Sequence, residues 1–275
     1  MANSITLDRF SYSYPGSKEF ALENVSFSVR RGGICAVLGA SQAGKTTLLY
    51  ALAGVLGSHF ATGRAEGRIS MGERDFDGLP PKIMFPEVSL VLQESAIQIT
   101  GFRSTVREEI AFTLQNLAVP EEEQLGRIGD ASRILAISHL LERNPRELSG
   151  GELHRVAISA ILVGQPAILL LDEPARSLDS NSISLLAAAL HDLRQRQTTI
   201  LTDCELELPL QLAEQYVVLD RGKLVFDGSR KEFMNLVDQF QGLLPVREWL
   251  EIREEIRSNR AVMDTIPQRI HRFLP

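Results

Sequence analysis

The run Ile34-Cys35-Ala36-Val37-Leu38-Gly39-Ala40-Ser41-Gln42-Ala43-Gly44-Lys45-Thr46-Thr47-Leu48-Leu49 decides the architecture. Its first five residues are apolar without alternation, the pattern of a strand buried on both faces. Its last residues open a helix on which Leu48, Leu49, Leu52 and Val55 recur at helical spacing. Between them, Gly39 to Thr46 satisfies G-x-x-x-x-G-K-[ST] in the strand–loop–helix context that gives the pattern its meaning. Glycines let backbone N–H groups converge on phosphate oxygens, the helix start adds its positive dipole, and Lys45 supplies a cation. Thr46 offers a hydroxyl to Mg²⁺. Residues Gly39, Ala40, Ser41, Gln42, Ala43, Gly44, Lys45, Thr46 and Thr47 are therefore expected to hold the phosphates of a nucleotide.

Outward from this run, apolar strands alternate with helical patterns. A helix expected to begin near Ser149 leads to the strand Ala167–Leu171; a helix bearing Ile183, Leu186, Leu190 and Leu193 leads to Thr198–Thr202. Tyr216–Asp220 and Lys223–Asp227 read as a hairpin before a closing helix, and the first forty residues read as strands. Residues Gly54 to Pro86 suggest a peripheral β-rich region, and Thr105 to Leu141 a helical one interrupted at Pro120. The expected fold is α/β: a mainly parallel sheet covered on both faces, an antiparallel β subdomain and an inserted helical subdomain.

A second chemical signal ends a buried strand. Ile168-Leu169-Leu170-Leu171-Asp172-Glu173-Pro174 puts two acids at the carboxyl edge of the sheet, where parallel sheets collect ligands. Asp172 is suited to hold Mg²⁺, and Glu173 to orient the water that attacks the γ-phosphorus. A third stands before a helix as Leu148-Ser149-Gly150-Gly151-Glu152, with N–H groups free to meet an anion and a capping box of Ser149 and Glu152 in the same residues.

The chain order of these three segments resembles the ATP-binding cassette (ABC) ATPases, whose signature usually ends in Gln where Glu152 stands here. The resemblance covers most of the chain and implies a P-loop fold, ATP and Mg²⁺ as ligands, and pairing with a second ATPase subunit. In such a pair, Ser149, Gly150 and Gly151 of one domain close on the nucleotide held by the other. Tyr14 resembles the aromatic that stacks on adenine, with Tyr12 as competitor; Gln93 resembles the glutamine that contacts Mg²⁺ or water and relays nucleotide state. Ser177-Leu178-Asp179 resembles the loop that crosses the dimer interface. Where the family carries a histidine that bonds the γ-phosphate, this chain has Asp203 after Thr202. An ionised Asp203 would repel phosphate oxygens, so slow turnover and a heterodimer with a related subunit are expected.

Thr105-Val106-Arg107-Glu108-Glu109-Ile110-Ala111-Phe112 and Asn144-Pro145-Arg146-Glu147 resemble the energy-coupling-factor importers, which implies a transmembrane coupling protein and a vitamin or transition-metal ion as cargo. Ile97, Ile99 and Phe102 are candidates either to receive a coupling helix or to make an apolar core contact. The domain reading is 1–238 for the ATPase, with its helical subdomain at about 94–157, and 239–275 for a C-terminal helical extension bearing Val246, Trp249, Leu250, Ile252 and Ile256.

The 275 residues carry 29 basic against 35 acidic side chains, a net charge of −6 that disfavours nucleic acid as a partner. The most apolar stretch, Ile158 to Leu171, is interrupted by Gly164, Gln165 and Pro166 before it could cross a bilayer. The start, Met1 to Phe10, lacks a basic flank and apolar core. Cytoplasmic residence is expected, peripheral to the membrane through a transmembrane partner. Cys35 and Cys204 are expected as reduced thiols.

Overall fold

A computed structural model describes residues 3–56, 63–77, 87–176, 178–194 and 196–244. The strands and helices are, in chain order, β1 (Asn3–Ser13), β2 (Leu22–Arg30), β3 (Ile34–Leu38), α1 (Lys45–Leu52), β4 (Arg64–Met71), β5 (Arg74–Asp77), β6 (Val88–Val91), α2 (Val106–Asn116), α3 (Glu121–Ile134), α4 (Gly150–Leu162), β7 (Ile168–Asp172), α5 (Ser180–Leu193), β8 (Thr198–Asp203), α6 (Glu207–Leu212), β9 (Gln215–Asp220), β10 (Lys223–Ser229) and α7 (Arg230–Leu236). Val246, Trp249, Leu250, Ile252 and Ile256 lie outside the described residues.

Six strands form one sheet in the order β10-β9-β3-β8-β7-β6, parallel from β9 to β6 with β10 antiparallel at the edge. The other four form an antiparallel sheet, β2-β1-β4-β5. The alternation of side chains along each central strand divides the core in two. Ile34, Ala36 and Leu38 join Leu169, Leu171 and Leu201 beneath the helices α4 and α5, while Cys35 and Val37 join Leu170 and Ile200 beneath α1 and the antiparallel sheet. Both faces of β3, β7 and β8 are buried, and β3 and the first four residues of β7 accordingly read as continuous apolar runs.

Parallel strands point their carboxyl ends the same way. Register places Leu38 beside Asp203 and Asp172 beside Thr202, so the loop after β3, the acids after β7 and the end of β8 meet at one edge. The helices α2, α3 and α4 gather around Val106, Ile110, Leu114, Ile128, Ala131 and Val156. Thr105 caps α2 in a capping box with Glu108, and Ser149 caps α4 in another with Glu152. Among the described residues, no helix is long and apolar enough to cross a membrane.

Candidate functional site

The loop from Gly39 to Gly44 turns sharply because two residues take left-handed backbone angles, Gln42 at φ 67° and Gly44 at φ 101°. A Cβ on Gly44 would stand 2.8 Å from the Ala21 carbonyl oxygen, so glycine is required there by both angle and space. The loop is tied down where the Gly222 N–H donates to the Ala43 carbonyl at 3.0 Å. Lys45 folds back over it, its Nζ donating to the carbonyls of Gly39 at 2.9 Å and Ala40 at 3.1 Å.

The acids after β7 reach this loop. Glu173 Oε1 lies 3.5 Å from Lys45 Nζ, and Glu173 Oε2 lies 3.1 Å from Arg176 Nη1. Asp172 is buried and accepts two hydroxyl hydrogen bonds on Oδ1, from Thr46 at 3.2 Å and Thr202 at 2.7 Å. Burial raises the Asp172 pKa above the usual carboxylate value, the hydroxyls of Thr202 and Thr46 oppose that rise, Glu173 adds to it and Lys45 lowers it. Thr202 also accepts from the Glu173 N–H at 3.1 Å, and so fixes both acids at once. Glu173 itself sits at φ 45°, a left-handed angle that is costly for a side chain with a Cβ and that recurs where function demands it.

The donor set suits magnesium. Thr46 and Asp172 present hard oxygen atoms side by side. That is the arrangement of an ion held by one or two protein oxygens and completed by phosphates and water.

Tyr14 is 39% exposed and its hydroxyl lies 3.0 Å from Thr47 Oγ1, which brings an aromatic ring to the phosphate loop. Tyr12 is fully buried and meets Tyr14 edge to face at 5.1 Å, so the competitor cannot stack on a ligand. Gln93 is half-buried two residues beyond β6, at the same sheet edge as Glu173. The strand end that leads to it is fastened by Gln98, whose side chain accepts from the Leu92 N–H and donates to the Leu90 carbonyl.

Ser149 and Gly150 are exposed, and Gly151 half-buried, at the start of α4. Glu152 accepts from the Ser149 N–H at 2.8 Å and from its hydroxyl at 2.9 Å, and these bonds lower the Glu152 pKa. Leu178 and Asp179 precede α5, with Asp179 capping it through the Ser182 N–H at 2.7 Å; Ser177 lies outside the described residues.

Asp203 departs from expectation. The repulsion expected of it requires an ionised group, but it is 2% exposed, and burial, aided by Glu173 and Glu205 against the opposing N–H bonds of Glu205 and Cys204, raises its pKa to about 7. Its Oδ1 accepts from the Glu205 N–H at 2.9 Å, while the buried Oδ2 has no hydrogen-bond partner. Near neutral pH a large fraction of Asp203 is uncharged, because moving a carboxylate out of water costs more than these contacts return. The repulsion argued from a full charge is reduced accordingly. Sequence reading missed Thr202, Arg176 and Gln98; a threonine ending a buried strand next to an acidic strand was the one signal available.

The family model described as ABC transporter matches residues 22–176. A Methanothermobacter thermautotrophicus protein named energy-coupling factor transporter ATP-binding protein EcfA is 36% identical over 231 residues, 83% of this chain and 71% of that protein. A Pyrococcus abyssi protein bearing an ABC transporter ATP-binding name is 32% identical over 273 residues, 95% of each. The chain spans only 43% of a Methanosarcina acetivorans relative to which it is 36% identical over 233 residues. Among solved structures, cbiO1 from Clostridium perfringens, described as part of the ABC transporter complex cbiONQ, superposes with a TM-score of 0.76 at 25% identity, covering 88% of this chain and 94% of that one. The ATP-binding cassette MJ0796 shares the fold at a TM-score of 0.69 and 21% identity, covering 82% and 98%.

Proposed function

The chain belongs to the ABC transporter family of ATP-binding proteins, and from that membership we propose that it is the ATP-binding and hydrolysing subunit of an energy-coupling-factor type importer of a vitamin or transition-metal ion. One observation carries the reading: Lys45 and Thr46 of the phosphate loop stand within 3.5 Å and 3.2 Å of Glu173 and Asp172. Phosphate, metal and attacking water are thereby provided for at a single point.

The residues divide the work. The backbone from Gly39 to Thr47 and Lys45 Nζ receive the phosphates, which requires Lys45 to exchange its bonds to the Gly39 and Ala40 carbonyls for bonds to phosphate oxygens. Thr46, Asp172 and Gln93 would hold Mg²⁺, whose charge offsets that of the phosphates. As Lys45 turns to the phosphate, Glu173 is released from that ion pair while Arg176 and the Thr202 bond keep its position, leaving a carboxylate to orient water. Tyr14 stacks on the base. Ser149, Gly150 and Gly151 serve a second ATPase subunit's nucleotide, and exposed Ile97 and Phe102 meet a transmembrane coupling protein, which keeps the chain at the inner face of the membrane.

Asp203 supports a second reading, a hydrolysis-impaired subunit of a heterodimer, because a buried carboxyl stands where an imidazole is expected. One experiment addresses both. The tagged full chain is captured from detergent-solubilised membranes and the complex assayed for MgATP hydrolysis. Co-purifying membrane proteins and turnover abolished by Glu173→Gln are the expected result. Turnover that survives Glu173→Gln assigns hydrolysis to the companion subunit and favours the second reading; capture of nucleic acid alone would overturn both.

A further inference from the structure

Two cations of unlike setting grip Glu173. Its Oε1 lies 3.5 Å from Nζ of Lys45, a side chain 5% exposed, and its Oε2 accepts at 3.1 Å from Nη1 of Arg176, a side chain 62% exposed. An ion pair with so exposed an arginine adds little to folding, and the carboxylate it holds is 12% exposed on a left-handed backbone, so stability does not account for the pairing. Lys45 and Arg176 flank one carboxylate group, each in contact with a different oxygen. A phosphoryl group, which likewise offers two oxygens on one centre, spans a gap of that size between the same two cations. A guanidinium carries more N–H donors than the single one committed to Glu173, and the exposure of Arg176 leaves the others open to an anion. Where the family carries an imidazole for the γ-phosphate, Asp203 brings a carboxyl and no cation.

We infer that Arg176 is a catalytic residue for the nucleotide in this chain's own phosphate loop: while Nη1 keeps Glu173 in place, the remaining guanidinium donors hold a γ-phosphate oxygen and offset the charge that develops during hydrolysis, a task that the missing imidazole leaves open. The inference rests on the function proposed above. In that step the water oxygen bonds to the γ-phosphorus, the bond to the bridging oxygen breaks with its electron pair leaving on ADP, and one water proton passes by way of Glu173 to solvent. Arg176 makes and breaks hydrogen bonds alone. Arginine suits the place better than lysine, since its planar fork serves a carboxylate and a phosphate oxygen together. A donor aimed at developing charge affects the transition state more than the binding of ATP.

The test uses the complex captured on the tagged full chain. Ground-state affinity is read from the concentration dependence of photo-crosslinking by Mg²⁺ and 8-azido-ATP, and transition-state affinity from retention of 8-azido-ADP loaded directly with Mg²⁺ and orthovanadate. Crosslinking to the tagged chain counts its nucleotide apart from that of a companion subunit. Arg176→Ala is expected to lower vanadate-dependent retention by about tenfold or more, while the ATP analogue's affinity holds within about threefold and melting temperature is unchanged. Arg176→Lys recovers part of the loss. Because Arg176 also holds Glu173, the deciding comparison is made on Glu173→Gln, where the ion pair is already gone: adding Arg176→Ala there should still lower retention by about tenfold. Retention left intact by Arg176→Ala overturns the inference. So does a loss confined to chains that keep Glu173, which makes Arg176 a holder of that residue alone, and so does a loss matched in ground-state affinity or melting temperature. A wild-type chain that binds the ATP analogue but retains nothing with vanadate overturns its hydrolytic role and the inference together; one that binds neither overturns the whole proposed function.

Discussion

At Asp203 a single proton has a stability consequence that can be signed. The folded state retains that proton up to about pH 7, whereas the unfolded chain releases it near the ordinary value of 3.8. Between those limits the native state binds more protons than the unfolded one, so this group's contribution to stability falls as pH rises from about 4 to about 7 and is flat above. At roughly 1.4 kcal/mol per unit over some three units, the loss is no more than about 4 kcal/mol. Asn keeps an oxygen for the Glu205 N–H and cannot ionise. The stability advantage of Asp203→Asn over the wild type in urea unfolding should therefore grow as pH rises from about 4 to 7.5; parallel stability curves across that range would show that Asp203 keeps an ordinary pKa. Lys45 makes the complementary case, where charge serves binding and not folding. Its Nζ is satisfied by the Gly39 and Ala40 carbonyls and by Glu173, all within the loop's own site. Lys45→Ala is expected to weaken ATP binding at least tenfold, about 1.4 kcal/mol, in a calorimetric titration, and an unchanged affinity would remove the phosphate role from this loop.

Secondary-structure elements meet the same site through their ends. The phosphate loop leaves β3 and enters α1 across Gly44, whose φ of 101° and contact with the Ala21 carbonyl tolerate no side chain. Gly44→Ala should cost roughly 2–3 kcal/mol in unfolding experiments, more than an exposed helix substitution, and a loss under about 0.5 kcal/mol would mean that the turn relaxes freely. At α4, the reciprocal bonds between Ser149 and Glu152 accept Gln as readily as Glu, so Glu152→Gln should leave stability within about 0.5 kcal/mol while Ser149→Ala lowers it by about 1 kcal/mol. These ends explain what was legible beforehand. Strands buried on both faces announce themselves as apolar runs, and caps and turns have local chemistry, so the order β3, loop, α1 and the acids of β7 could be read from single segments. Pairings could not. The sheet β2-β1-β4-β5 depends on long-range register, with β1 shifted near Arg9 at φ 48° and β4 bent at Gly67, none of which leaves a local pattern. The six-residue α6 contains Pro209 and is too short for periodicity to show. Thr202 was invisible as a site residue because strand spacing gives the face a side chain occupies and not the group it meets.

Across the whole molecule, one path of contacts runs from an exposed apolar loop to Glu173. Among the described residues, Phe102 is 92% exposed and Ile97 68% exposed, five positions apart in the chain. Their loop is anchored at Thr100, whose N–H and hydroxyl both donate to the buried Glu109 of α2, and at Gly101, whose carbonyl accepts from Arg146 at 2.7 Å. Arg146 belongs to the turn Pro145–Glu147 that leads directly into Ser149. Beyond Ser149, α4 carries His154 and Arg155 to the Glu173 turn. A partner seated on Phe102 is thus mechanically next to the signature segment, with packed helices and not a flexible linker between them. Because both side chains are exposed, Ile97→Ser with Phe102→Ser should change melting temperature and ATP affinity little while lowering the yield of membrane proteins captured with the tagged chain by about tenfold. Undiminished capture would exclude this loop as the docking surface, and a matching fall in melting temperature would reassign both residues to folding. Arg146→Ala separates anchoring from docking: with the apolar side chains kept and the tie to Gly101 cut, capture should persist while stimulation of ATP hydrolysis by the membrane partner declines, since the surface remains but its link to Ser149 does not.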